Sequence, residues 1–89
     1  MSDESSKLVR LDFWSEIIGP YIGSYRIDQL VYFKIGGKAI AFDSDTKEAD
    51  ILRSKLKDEF IGHTVGILRT NSIETPLVVR IMMRDRTTK

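Results

Sequence analysis

Arg80 and Arg84 stand four residues apart in the segment LVVRIMMRDR, with Met82 between them and Arg86 just beyond. In extended chain alternate side chains share a face, so Val78, Arg80, Met82 and Arg84 project together. A guanidinium is a planar fork of donors that matches phosphates and carboxylates, and a row of them is a natural anion-binding strip. Arg69, in the apolar segment just before, would lie across the same hairpin, and Tyr32 with Lys34 would extend the row if the two hairpins joined in one sheet. Basic side chains beside a stacking ring suit single-stranded nucleic acid, RNA above all. The sequence therefore predicts a nucleic-acid or partner-binding strip of Arg69, Arg80, Arg84, Arg86, Tyr32 and Lys34. The same arginines would otherwise pair with Asp58, Glu59 or Glu74, or keep a sheet edge from aggregating.

The remaining chemistry-bearing residues give weaker signals. His63 is the only histidine, and one imidazole without an orienting partner makes neither a general base nor a multi-histidine metal site. Asp12 and Glu16 would share a helix face at i,i+4, but no electrophile stabiliser accompanies them. DSDTKE has carboxylates at the first and third positions of a calcium loop, yet Lys47 falls at the fifth and Ser54 where a bidentate Glu is needed. IGPYIG, IGGK and IGHTVG match neither P-loop nor dinucleotide spacing. Arg69, Thr70, Asn71 and Ser72 are all donors, but they are also ordinary hairpin-loop formers. With no cysteine, disulfides and thiolate chemistry are excluded. These readings predict a non-enzymatic protein without a metal or cofactor.

Clear local signals surround the strip. LVYFKIGGKAIAF reads as a hairpin with Gly36 and Gly37 at a two-residue primed turn. Pairing Ile35 with Lys38 then sets Phe33 opposite Ile40 and Val31 opposite Phe42 on a core face. Leu30, Tyr32, Lys34, Ala39 and Ala41 share the other face. Next, Asp45 with Glu48 resembles a capping box, Gly62 is a plausible helix terminator, and Ala49, Leu52, Leu56 and Phe60 follow helical spacing. An amphipathic helix is expected between them. Residues 70–76, TNSIETP, form a loop joining a strand through Val65, Ile67 and Leu68 to a strand in which Leu77, Val79, Ile81 and Met83 face the core. At the N-terminal end, Leu8, Leu11, Trp14, Ile18 and Tyr21 match a helical stripe although KLVRLDF alternates as a strand does. The stripe predicts a helix from about residue 8 to about residue 18, stopped by Gly19 and Pro20.

The fold class that results is α+β: a small two-layer domain with a mostly antiparallel sheet of about four strands in two hairpins, an amphipathic helix between them and an N-terminal helix. A small SH3-like or Sm-like β-barrel with helices is the competing architecture. Phe33 to Asp45, FKIGGKAIAFDSD, resembles the strand, turn and strand with a trailing Asp found in Sm-like proteins. The amphipathic helix that follows departs from that pattern, and no RNA-binding residue is carried over from it.

Eighty-nine residues make one domain, residues 1–89, with flexible tails expected at 1–6 and 86–89. The net charge of +1 is uneven: residues 1–45 carry five Lys/Arg against seven Asp/Glu, and residues 46–89 carry nine against six. There is neither a signal-peptide core nor an apolar run of membrane-span length, and cysteine is absent, so a cytoplasmic protein is expected. Val78, Met82, Ala39 and Ala41, with Tyr32, make the second sheet face too apolar for full solvation, which marks an interface. The sequence as a whole predicts a binding module that works through this face as a homo-oligomer, with nucleic-acid binding as the alternative.

Overall fold

A computed structural model describes residues 7–84, with the side chains of residues 83 and 84 outside the description. The expected tails, Arg86 and the side chain of Arg84 therefore lie outside the described residues. Six strands and one α-helix follow in order: β1 (Lys7–Leu8), β2 (Glu16–Ile27), β3 (Leu30–Ile35), β4 (Lys38–Asp43), α1 (Lys47–Lys55), β5 (His63–Arg69) and β6 (Leu77–Arg84), with a 3-10 turn at Asp58–Phe60. They form one sheet in the order β1-β4-β3-β2-β5-β6, antiparallel except for β1 beside β4. The fold is α+β, and the sheet is not closed into a barrel.

The β3–β4 hairpin has the expected register, with Ile35 opposite Lys38, Phe33 opposite Ile40 and Val31 opposite Phe42. Gly36 supplies a turn residue in the left-handed region, while Gly37 stays outside it. Loop 70–76 is also where it was expected. It is tied by its own hydroxyls: Thr70 Oγ1 donates to Thr75 O at 2.6 Å, and Ser72 N–H donates to Thr70 Oγ1 at 3.1 Å.

The N-terminal helix is absent. Residues 8–18 instead form the end of β1, an irregular turn and the start of β2, so six strands replace the expected four. Strand β2 changes partners along its length, pairing with β5 over Glu16–Pro20 and with β3 from Tyr21 onward. Pro20 sits at the changeover. Its carbonyl accepts from Gly36 N–H at the tip of the β3–β4 hairpin, so its missing donor lies on the side where the β3 ladder has not yet begun. Just beyond, a bulge at Ile22, with Gly23 at positive φ, bends the strand.

Helix α1 is capped by Thr46, whose Oγ1 accepts from Ala49 N–H at 3.2 Å, and not by Asp45. It ends at Lys55, earlier than Gly62, because Leu56 leaves helical geometry at φ −100°, ψ 85° while keeping its side chain in the core. The helix packs against both β4 and β6, which stand four strand spacings apart. On a flat sheet that is about 19 Å, more than the ~13 Å length of such a short helix, so the sheet curls around it. The core fills the hollow: Tyr21, Phe33, Ile40, Leu52 and Ile67 are all buried. Burial pushes the Tyr21 hydroxyl above its ordinary pKa, a shift that a hydrogen bond with Ser24 opposes and the Asp58 charge reinforces.

Candidate interaction surface

The helix covers one face of the sheet, and among the described residues no helix covers the other. On that outer face the half built from β2, β3 and β4 carries Tyr25 directly opposite Tyr32. Their rings stack with centroids 4.9 Å apart and planes 4° from parallel, as offset aromatic pairs favour. Lys34 Nζ lies 5.5 Å from the Tyr25 centroid, within cation–π reach. Ile27 and Leu30, a cross-strand pair, stand exposed beside them. Ala41 is half-buried next to Tyr32, as an interface residue could be, but Ala39 is only 2% exposed and is not available to a partner. The reason is β1, which lies alongside β4 with Leu8 opposite Ala39 and offers Leu8, 59% exposed, in its place.

The other half of the outer face is built from β2, β5 and β6. Arg80 reaches across Gly66 so that its Nη2 lies 3.0 Å from Glu16 Oε2. A Cβ at Gly66 would lie 2.9 Å from that same oxygen, so the glycine leaves the floor on which the ion pair rests. Ile18 (56% exposed) and Val78 flank the pair, and Met82 is half-buried beside it.

Among the described residues the expected arginine strip is divided. Arg69 falls in register with Leu77 and so belongs to the helix side of the sheet, opposite to Arg80. There its Nη1 donates to Leu11 O at 2.9 Å, its Nη2 lies 3.7 Å from Glu48 Oε2, and its Cζ lies 4.7 Å from the Phe13 ring centroid. The buried Nε has no hydrogen-bond partner. Tyr32 and Lys34 do share the outer face with Arg80, but in the other half of the sheet. Asp12 pairs with Arg10 at 3.3 Å and Glu16 with Arg80, so the two carboxylates do not act together. His63 opens β5, its Nδ1 donating to Met82 O at 3.1 Å, with Phe60 edge-on to the ring.

Sequence reasoning missed Tyr25, Ile27, Ile18 and Leu8, all hidden by the helical reading of residues 8–18 or by the bulge in β2. For Ile18 the signal was the alternation of Glu16, Ile18 and Pro20 against Ile17 and Gly19. It also missed the turn of Phe13 and Trp14, both exposed, with Trp14 at positive φ, a conformation that few aromatic residues adopt. Phe13, Glu48, Arg69, Asn71 and Ile73 line a cleft of about 240 Å³, but its arginine and carboxylate already face each other. Among the described residues no three His, Asp or Glu side chains gather as a metal site, and no helix is long and apolar enough to cross a membrane. No family model, curated protein or solved structure matches the chain.

Proposed function

We propose that this chain is a small cytoplasmic, non-enzymatic binding module that docks partners, including other copies of itself, on the outer face of its sheet. One observation carries the reading: Leu8, Ile18, Ile27, Leu30 and Val78 are all exposed on the face that bears the Tyr25–Tyr32 stack, a face with no second layer among the described residues. A monomer that leaves several apolar side chains exposed on one sheet face meets a cost that burial against a partner removes. Absence of cysteine suits a reducing compartment. The test is a dilution series of amide spectra from millimolar concentration. Shifts at Ile18, Ile27, Leu30 and Tyr32 should move with concentration and stop moving in Leu30→Asp; amides on this face that never respond overturn self-association through it.

A second reading rests on Tyr25, Tyr32 and Lys34 alone. Stacked rings beside an ammonium form a platform on which unpaired bases stack. A labelled single-stranded RNA should bind at low salt and lose affinity in Tyr32→Ala, and no binding at low salt ends this reading. Arg80, held by Glu16, contributes less to it than a free row of arginines would.

A further inference from the structure

On the helix side of the sheet the end of β2 breaks the apolar pattern. Ser24 stands opposite Phe33 and Arg26 opposite Val31, and both of those partners are buried. Directly opposed side chains share a face, so Ser24 and Arg26 project toward the layer that holds the core. A two-layer sheet calls for apolar residues there. Helix α1 lies against β4 and β6, and at the end of β2 a cleft of about 310 Å³ remains, lined by Ser24, Tyr25, Arg26, Val31, Ser44 and Arg53. None of the six is a carboxylate.

A single turn positions two of these residues. Asp28, at positive φ, and Gln29 join β2 to β3. Arg26 Nε donates to Asp28 O at 2.8 Å, and Ser44 N–H donates to Gln29 O at 2.7 Å. The two turn carbonyls thus fix a guanidinium from the strand and a serine from the segment that leads into the helix. Arg53 comes from the last turn of α1, where its Nη2 donates to Asp50 Oδ1 at 2.6 Å. A guanidinium carries five N–H groups, and each arginine spends one of them in these bonds. The remaining N–H groups of both forks and the Ser44 hydroxyl have no acceptor among the described residues. Two like charges share the cleft, and Asp50 answers only one of them.

We propose that this cleft binds a small phosphate monoester, with Arg26 and Arg53 as the two arms that hold the phosphoryl group. Donor number, charge and volume select the class. A carboxylate is planar and is satisfied by one fork, whereas a phosphoryl group offers three acceptor oxygens and close to two negative charges. Two forks from different elements, with the Ser44 hydroxyl beside them, suit the second group. The volume stands at the small end of the ~300–1,000 Å³ range of small-molecule sites and exceeds what a bare phosphate fills. Room is left over Val31 for a compact organic body. Ser24 keeps that room open, since a large side chain at the same position would fill it. The cleft is on the helix side of the sheet, so it stands independently of docking on the outer face and gives the module a small-molecule ligand. Such a ligand would tie the β2–β3 turn to the helix.

The test titrates the full chain with phenyl phosphate, inorganic phosphate and benzoate and follows backbone amide shifts. Phenyl phosphate should move the amides of Ser24, Arg26, Ser44 and Arg53 and bind at least about tenfold more tightly than either of the other two. Arg26→Gln and Arg53→Gln each remove a fork from an exposed position and should each weaken binding at least about tenfold; full affinity in both overturns the arms. Ser24→Leu should block the cleft and abolish binding. If that variant fails to fold, Ser44→Val, which removes the free hydroxyl, should weaken it. Melting temperature should rise with phenyl phosphate in the natural chain and stay level in Arg26→Gln. Benzoate that binds as well as phenyl phosphate assigns the cleft to carboxylates and overturns the phosphoryl class. Equal affinity for inorganic phosphate and phenyl phosphate means a bare-anion site and overturns the ester. Shifts confined to Leu30, Tyr32 and Lys34, or no shift at millimolar probe, overturn the cleft itself.

Discussion

Arg69 and Arg80 sit on adjacent strands of one hairpin, and they live in different media. Arg69 lies under the helix with a side chain 25% exposed, between aromatic rings and fixed to a backbone carbonyl. Arg80 lies on the outer face, 61% exposed, with one carboxylate partner. Both are arginines facing a glutamate, but the worth of each contact is set by the water it has lost. Desolvated charge is costly to strand once its surroundings are built for it, whereas an exposed pair is worth at most about 1 kcal/mol.

Removing each partner tests this difference. Arg69→Ala strands the Glu48 carboxylate, frees the Leu11 carbonyl and empties the space between Phe13 and Phe42. It should cost about 2–4 kcal/mol in urea unfolding, with Arg69→Met recovering part of the loss through packing. A cost no greater than that of Arg80→Ala would break the comparison. The helix side of the sheet makes a second contribution through Tyr21. Its folded pKa is raised above the unfolded value, so the neutral phenol contributes stability that is complete below pH ~10 and is lost as the pH climbs through the folded pKa. Alkaline melts of the natural chain should fall more steeply above that point than those of Tyr21→Phe.

On the outer face effects should be small and sensitive to salt. Arg80→Ala should cost below about 1 kcal/mol, less again in high salt, where Arg69→Ala keeps its full cost. Gly66→Ala should be the mildest. The new methyl meets the flexible tip of Glu16 and not the backbone, so the carboxylate swings aside and the variant loses only what the ion pair was worth. In an Arg80→Ala background the same substitution should then change stability by less than ~0.5 kcal/mol, and a double-mutant cycle that finds the two changes additive would break the account.

How much of this was legible depended on whether a local signal agreed with its surroundings. Gly36 and Gly37 between alternating apolar residues settled the β3–β4 register because turn and pattern pointed the same way. The helix was legible from Ala49, Leu52 and Leu56, but its cap was not: Asp45 and Thr46 are both good cap residues, and only backbone geometry decides between them. The N-terminal segment misled because Leu8, Leu11, Trp14, Ile18 and Tyr21 fit a helical period by coincidence. Gly19 and Pro20, taken as a stop, mark instead where one strand passes from β5 to β3. The outer face was half legible: Tyr32, Ala41, Val78 and Met82 were placed on it correctly, whereas Tyr25 and Ile18 depended on the misread strand. Arg69 was assigned to the wrong side because the register of β5 against β6 hangs on a seven-residue loop, whose length alone fixes no pairing.

The shared strand β2 also sets an order of assembly. Its later half joins β3 and β4 through tight turns, contacts between near neighbours in the chain that close quickly. Its earlier half must wait for β5, since Glu16 meets Leu68 only after the hairpin and the helix between them have been traversed. On a chain emerging from the ribosome the meander from Tyr21 to Asp43 can form while β5 and β6 are still unmade. Strand β5 arrives only after that meander, and until it does the apolar residues of Glu16–Pro20 wait without a strand on that side. Until that pairing forms, Ile17 and Ile18 are exposed on a half-strand whose backbone groups have only water to bond.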